Sequence, residues 1–165
     1  MASLALLEKD IAVIYIDTSN YVNLTNISLV LRNFMPQTEA EEKSKRVAEV
    51  MTRLRVLKIF ELDQLIILLA KIISMLKKKE LQFNVRMIVI DSLSSLFSGI
   101  STKNHYYSSM IKELLYYFKT ITKKYYISIV YTNNTKDNMV SRVTELKNLV
   151  GEPLSWAVDK AIYAH

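Results

Sequence analysis

The chain has no cysteine, which excludes disulfide staples, thiolate metal sites and cysteine nucleophiles and fits a reducing compartment. Its two histidines, His105 and His165, show no ligand spacing, so structural zinc is not expected. Only two glycines (Gly99 and Gly151) and two prolines (Pro36 and Pro153) are present. That leaves little scope for glycine-dependent turns and none for a long flexible linker, so elements must follow closely on one another. No apolar run reaches the roughly 20 residues of a membrane span: the most apolar stretch, residues 62–76, is broken by Asp63, Gln64 and Lys71. Residues 1–9 carry neither a basic leader nor a long apolar run, so no secretory signal is expected. The chain reads as having no membrane partner.

What is present is enough for one core. At 165 residues and 50% hydrophobic, the sequence fits a single domain over residues 1–165. Its net charge of +6 permits contact with a polyanion, because counterions released from phosphates favour every lysine or arginine that meets one. A merely solvated basic surface fits the same number.

The hydrophobic period changes along the chain. Residues 11–16 and 85–90 are short, nearly unbroken apolar runs that end at Asp17 and Asp91, as expected for strands buried on both faces of a parallel sheet. Residues 126–131 form a third such run, ending in Thr132, Asn133 and Asn134, and residues 53–59 and 160–163 are weaker candidates. Between them the period is helical: Leu62, Leu65, Ile66, Leu69, Ile72, Ile73 and Leu76 share one face, as do Tyr107, Ile111, Leu114, Leu115, Phe118 and Ile121. Leu24, Ile27, Leu31 and Phe34 mark a shorter helix stopped by Pro36, and Thr38 with Glu41 has capping-box spacing before a charged helix to about Met51. Lys77, Lys78 and Lys79 read as a helix end complementing the macrodipole. The paired tyrosines at 106–107, 116–117 and 125–126, and Trp156, read as packing residues. Strands alternating with helices, over connections too long for hairpins, predict a three-layer α/β domain with a mostly parallel sheet.

In open sheets of this kind ligands bind beyond the carboxyl ends of the strands, where Asp17, Asp91, Thr132 and Asn133 fall. An acid at the end of a buried apolar strand must be solvated, paired or near a cation, which makes Asp91 a candidate to orient water on Mg²⁺. Taken alone the pattern is unspecific. The combination is more so: Val-Ile-Tyr-Ile-Asp-Thr-Ser (13–19), Arg-Met-Ile-Val-Ile-Asp-Ser-Leu-Ser-Ser-Leu-Phe (86–97) and Ser-Ile-Val-Tyr-Thr-Asn-Asn (128–134) occur in order with helices between them.

This series resembles the RecA-like recombination ATPases, a P-loop NTPase fold, and among them the divergent eukaryotic recombinase paralogues, the D-type nearest. The resemblance extends over nearly the whole chain, including residues 55–60 and the tryptophan-containing segment 151–156. It implies that Asp91 is the Walker B acid with Ser92 beside it, and that Asn133 stands where the family has a polar sensor. Residues 98–106 and 134–150 would be DNA-binding loops, with Lys103, Lys136, Arg142 and Lys147 meeting phosphates. ATP and Mg²⁺ as cofactors, other paralogues or the recombinase as partners, single-stranded DNA, homologous-recombination repair of DNA damage and a nuclear location follow from the same resemblance.

Two departures alter the expected mechanism. No G-x-x-x-x-G-K-[ST] occurs, so the domain reads as a partial one, truncated before the phosphate-loop strand, with residues 1–9 as the tail of the helix that follows the loop. Moreover, the family's catalytic glutamate follows the Asp-Thr pair, and here that position is Ser19, whose hydroxyl cannot take a proton from water as a carboxylate does. Losing three charge-assisted phosphate bonds removes about 5 to 9 kcal/mol, turning a micromolar nucleotide site into a millimolar one or worse. The nucleotide site is therefore expected to be vestigial, and residues 126–131 an exposed edge or a partner of residues 160–163. Two alternatives stay open: a fragment or isoform of a DNA-dependent ATPase whose loop lies upstream, and an unrelated α/β interaction domain.

Overall fold

The computed structural model describes residues 2–7, 10–35, 40–97 and 105–132. The elements run α1 (Ala2–Leu7), β1 (Ala12–Asp17), α2 (Leu24–Phe34), α3 (Ala40–Met51), β2 (Leu54–Lys58), α4 (Leu62–Lys78), β3 (Val85–Asp91), a 3-10 turn (Leu93–Phe97), α5 (His105–Lys119), a π-helical turn (Thr120–Lys124) and β4 (Ser128–Tyr131). The four strands form one all-parallel sheet in the order β2-β1-β3-β4.

Side-chain alternation along the strands divides the core into two layers. Ala12, Ile14 and Ile16 of β1 and Ile88 and Ile90 of β3 pack with Leu65 and Leu69 of α4 and Leu114 and Phe118 of α5. Val13 and Val89 face the other way, against Leu6 of α1, Leu31 of α2 and Val47 and Val50 of α3. The result is the expected three-layer α/β arrangement. The chain leaves β1 over one face to reach β2, then moves over the other face to β3 and β4, which keeps every crossover right-handed. These opposite exits place the topological switch point between β1 and β3, where a crevice opens at the carboxyl ends of an α/β sheet.

Local chemistry explains most boundaries. Asn23 caps α2 by accepting from the Thr25 N–H at 2.8 Å. Gln64 reaches back from the first turn of α4 to the Phe60 N–H at 3.3 Å. The same helix ends on Lys79 at φ 59°, whose N–H bonds to Leu76 O while Glu80 N–H bonds to Met75 O. A chain so poor in glycine fills its left-handed positions with other residues: Asp10, Asn20, Lys79 and Tyr126 all have positive φ.

Several expected boundaries shift. The third apolar run begins its strand at Ser128, because Tyr126 turns into the left-handed region before it. The second long helix passes into a π-helical turn before Ile121 reaches the core. Among the described residues β4 pairs only with β3, while the expected partner, residues 160–163, lies outside them, as do Pro36 and Thr38. No described helix is long and apolar enough to cross a membrane.

Candidate functional site at the carboxyl ends of β1 and β3

Parallel register sets Asp17 directly beside Asp91 and Tyr15 beside Val89. With a side-chain period of two, Tyr15, Asp17 and Asp91 all project from the same face of the sheet. The two acids avoid each other by binding different donors. Asp17 is fully buried, and its oxygens accept the N–H groups of Ser19 at 3.1 Å and Val22 at 3.2 Å, which folds the turn between β1 and α2. Asp91 accepts the Tyr15 hydroxyl at 2.7 Å on Oδ2 and the Thr132 hydroxyl on Oδ1. One carboxylate thus ties β1, β3 and the residue after β4 together.

Below this brace the backbone is stitched as well. Thr18 N–H donates to Asp91 O at 2.8 Å, Thr132 N–H to Ile90 O at 3.0 Å, and Leu93 N–H to Thr132 O at 2.9 Å. Thr18 and Ser95 hydroxyls bond to each other, and each reaches the Ser92 carbonyl at 2.7 Å. Ser92 is buried, and its Oγ accepts from Ser94 Oγ at 3.3 Å. The peptide bond between Asp91 and Ser92 is cis.

Of the residues singled out in the sequence, Asp17, Asp91, Ser92 and Thr132 come together. Asn133, Lys103, Lys136, Arg142, Lys147 and Trp156 lie outside the described residues, and the first-loop range 98–106 overlaps them only where α5 begins at His105. Tyr15 was not anticipated. Its signal was the period of two counted back from Asp17, joined to the register that the second acidic strand end would adopt beside the first.

The resemblance implies magnesium and triphosphate, which Asp91 would meet through a magnesium-bound water. The carboxylate oxygens here accept hydroxyl and backbone hydrogens. Among the described residues no group of three His, Cys, Asp or Glu gathers. What the arrangement does do is hold three strand ends in fixed relation by hydrogen bonds to a charged acceptor.

Burial, the hydrogen bond to Asp91 and the negative charges of Asp91 and Asp17 push the Tyr15 phenol well above its ordinary pKa. Burial also raises Tyr131. A proton held more tightly in the folded than in the unfolded chain stabilises fully below the unfolded value near 10. That contribution disappears as pH rises from there toward the folded value. Stability measured by urea denaturation should therefore decline above about pH 10, and Tyr15→Phe should remove the larger part of the decline. An unchanged slope in that variant would refute the assignment.

Two tyrosines depart from the packing role expected of them. Tyr116 and Tyr126 are 64% and 77% exposed, because the buried stripe of α5 runs through Ile111, Leu114, Leu115 and Phe118 and leaves position 116 on the far side. Tyr117 and Tyr125 pack against the core as expected. No protein-family model and no curated protein matches the chain.

Proposed function

We infer that this chain is a RecA-like recombinase-paralogue domain, serving homologous-recombination repair in the nucleus as a DNA- and partner-binding module with little or no ATP turnover. The observation that carries the reading is the β2-β1-β3-β4 order with Asp91 ending the strand beside the switch point. Under the resemblance, Asp91 then ends the Walker B strand, β4 is the sensor strand, and the phosphate-loop strand belongs on the side of β4 that has no partner among the described residues. If that side of β4 is left unpaired, its apolar edge favours association with another chain, in keeping with a module that works in company. Ser19 donates its N–H to Asp17 rather than offering a carboxylate to water, and Asp91 serves the hydroxyls of Tyr15 and Thr132. Both features support weak nucleotide binding at a vestigial site.

The test is ATP hydrolysis by the chain with and without single-stranded DNA, together with DNA binding across a salt series. Turnover should stay at background, and affinity for the strand should fall steeply with salt. Turnover that Asp91→Ala abolishes would sink the non-catalytic reading, and absence of binding at low salt would sink the DNA role.

A further inference from the structure

Helix α2 buries far less apolar surface than its sequence offers. Leu24, Ile27, Leu29, Val30, Leu31 and Phe34 are all apolar, yet only Leu31 is fully buried. An amphipathic helix ordinarily turns its apolar stripe onto a core, as α4 does with Leu62, Leu65, Ile66, Leu69 and Ile72. On α2, Val30 and Phe34 are 41% and 55% exposed. They stand four residues apart, and the half-buried Ile27 precedes Val30 by three, so the three share one flank of the helix.

That flank leads into a groove of about 580 Å³ at the end of α2. Its apolar wall is Leu7 of α1, Phe34, Met35 and Val50 of α3, and its charged side is Glu42, Lys45, Arg46 and Glu49, all on α3. Lys45 is held by Glu41 at 2.8 Å. Among the described residues Glu42, Arg46 and Glu49 form no ion pair. Glu42 and Arg46 lie four residues apart on one side of α3. A rim of one sign would suit a partner of the opposite charge. A rim that carries both signs beside an exposed ring and an apolar hollow is complementary to itself, because a copy turned about a twofold axis sets acid against base.

We propose that this face is a self-association site for a second copy of the chain, the Val30 and Phe34 flank of each copy covering the groove of the other while Glu42 of each meets Arg46 of the other. An isologous contact requires projection and hollow on the same patch, and here Phe34 supplies the first and Leu7, Met35 and Val50 the second. Apolar groups at the centre with charges around them is the usual anatomy of a protein interface. The face belongs to the α1, α2 and α3 layer, apart from the outer side of β4, and does not depend on the recombination reading.

The experiment is sedimentation velocity of the full chain over a concentration series. The wild type should show a monomer–dimer equilibrium, and Phe34→Ser should raise its dissociation constant about tenfold. Glu42→Arg alone and Arg46→Glu alone each set like charges against one another and should abolish the dimer. Mixing those two variants should restore it as a heterodimer, since each then offers the charge that the other lacks. Circular dichroism confirms that each variant is folded, and recovery on mixing is a result that simple damage to either variant would not give. A wild type that stays monomeric throughout would overturn the site. So would a dimer indifferent to all three substitutions, which would place the contact elsewhere, the outer side of β4 included, and so would a mixture that remains monomeric.

Discussion

Asp91→Ala should lower the stability of the folded chain by about 3 kcal/mol, enough to reduce the melting temperature by roughly 6–12 °C in a chain of this size. Two donors lose their acceptor at once. The Tyr15 hydroxyl is the larger share, because its surroundings are half-buried and water replaces the carboxylate poorly. Thr132 is exposed and rehydrates, so its share is smaller. Tyr15→Phe should be milder, near 1 to 1.5 kcal/mol, since it removes a donor and leaves Asp91 still bonded to Thr132. A double-mutant cycle between the two should show a coupling of about 1 to 2 kcal/mol. The same variants separate a brace from a cation site. If Asp91 held magnesium and nucleotide, adding both would raise the wild-type melting temperature by mass action and leave Asp91→Ala unmoved. A brace predicts no such rise, and a coupling near zero would dismiss it.

The α/β class was legible because buried parallel strands and amphipathic helices write different periods. Residues 85–90 have no alternation to confuse with a helix, and the Leu/Ile stripe of α4 has no period of two. Strand order was less legible: that β1 lies inside and β2 at the edge among the described strands depends on which face each crossover takes. Residues 53–59 nevertheless carried a hint, with Arg55 and Lys58 exposed on β2 as befits an edge. At the site, Asp17 and Asp91 stood out as charges ending apolar runs. Tyr15 did not, because a tyrosine within such a run is indistinguishable from packing until its strand has a neighbour and a register. Tyr116 is the opposite case. The stripe Ile111, Leu114, Leu115 and Phe118 already excluded position 116 from the core, but the doubled tyrosines drew both rings into one interpretation. Tyr126 carried no signal of its own, since its exposure comes from a left-handed turn that a sequence without glycine there gives no reason to expect.

The two core layers should respond differently to the loss of a leucine. Leu65 and Leu31 are both fully buried, so each loses a comparable transfer free energy on truncation to alanine; the difference lies in how far the surroundings collapse. Leu65 of α4 is enclosed by β1, β3 and α5 within the larger cluster, which continues to Leu93 and Leu96 just past Asp91. Leu31 sits on α2 in a smaller cluster beside a groove lined by Phe34, Met35 and Val50, where the helix has room to settle inward. Leu65→Ala is expected to be destabilising by about 4 kcal/mol and Leu31→Ala by about 2.5 kcal/mol. Urea midpoints measure both, provided the denaturant slope is unchanged. Because the Leu65 layer also supports the turn that carries Ser92 and Ser95, its loss should weaken the brace, making the effects of Leu65→Ala and Asp91→Ala less than additive. Additive effects would mean that the acidic crevice stands independently of the helix layer behind it, and equal effects of the two leucines would mean that neither face of the sheet is the more closely packed.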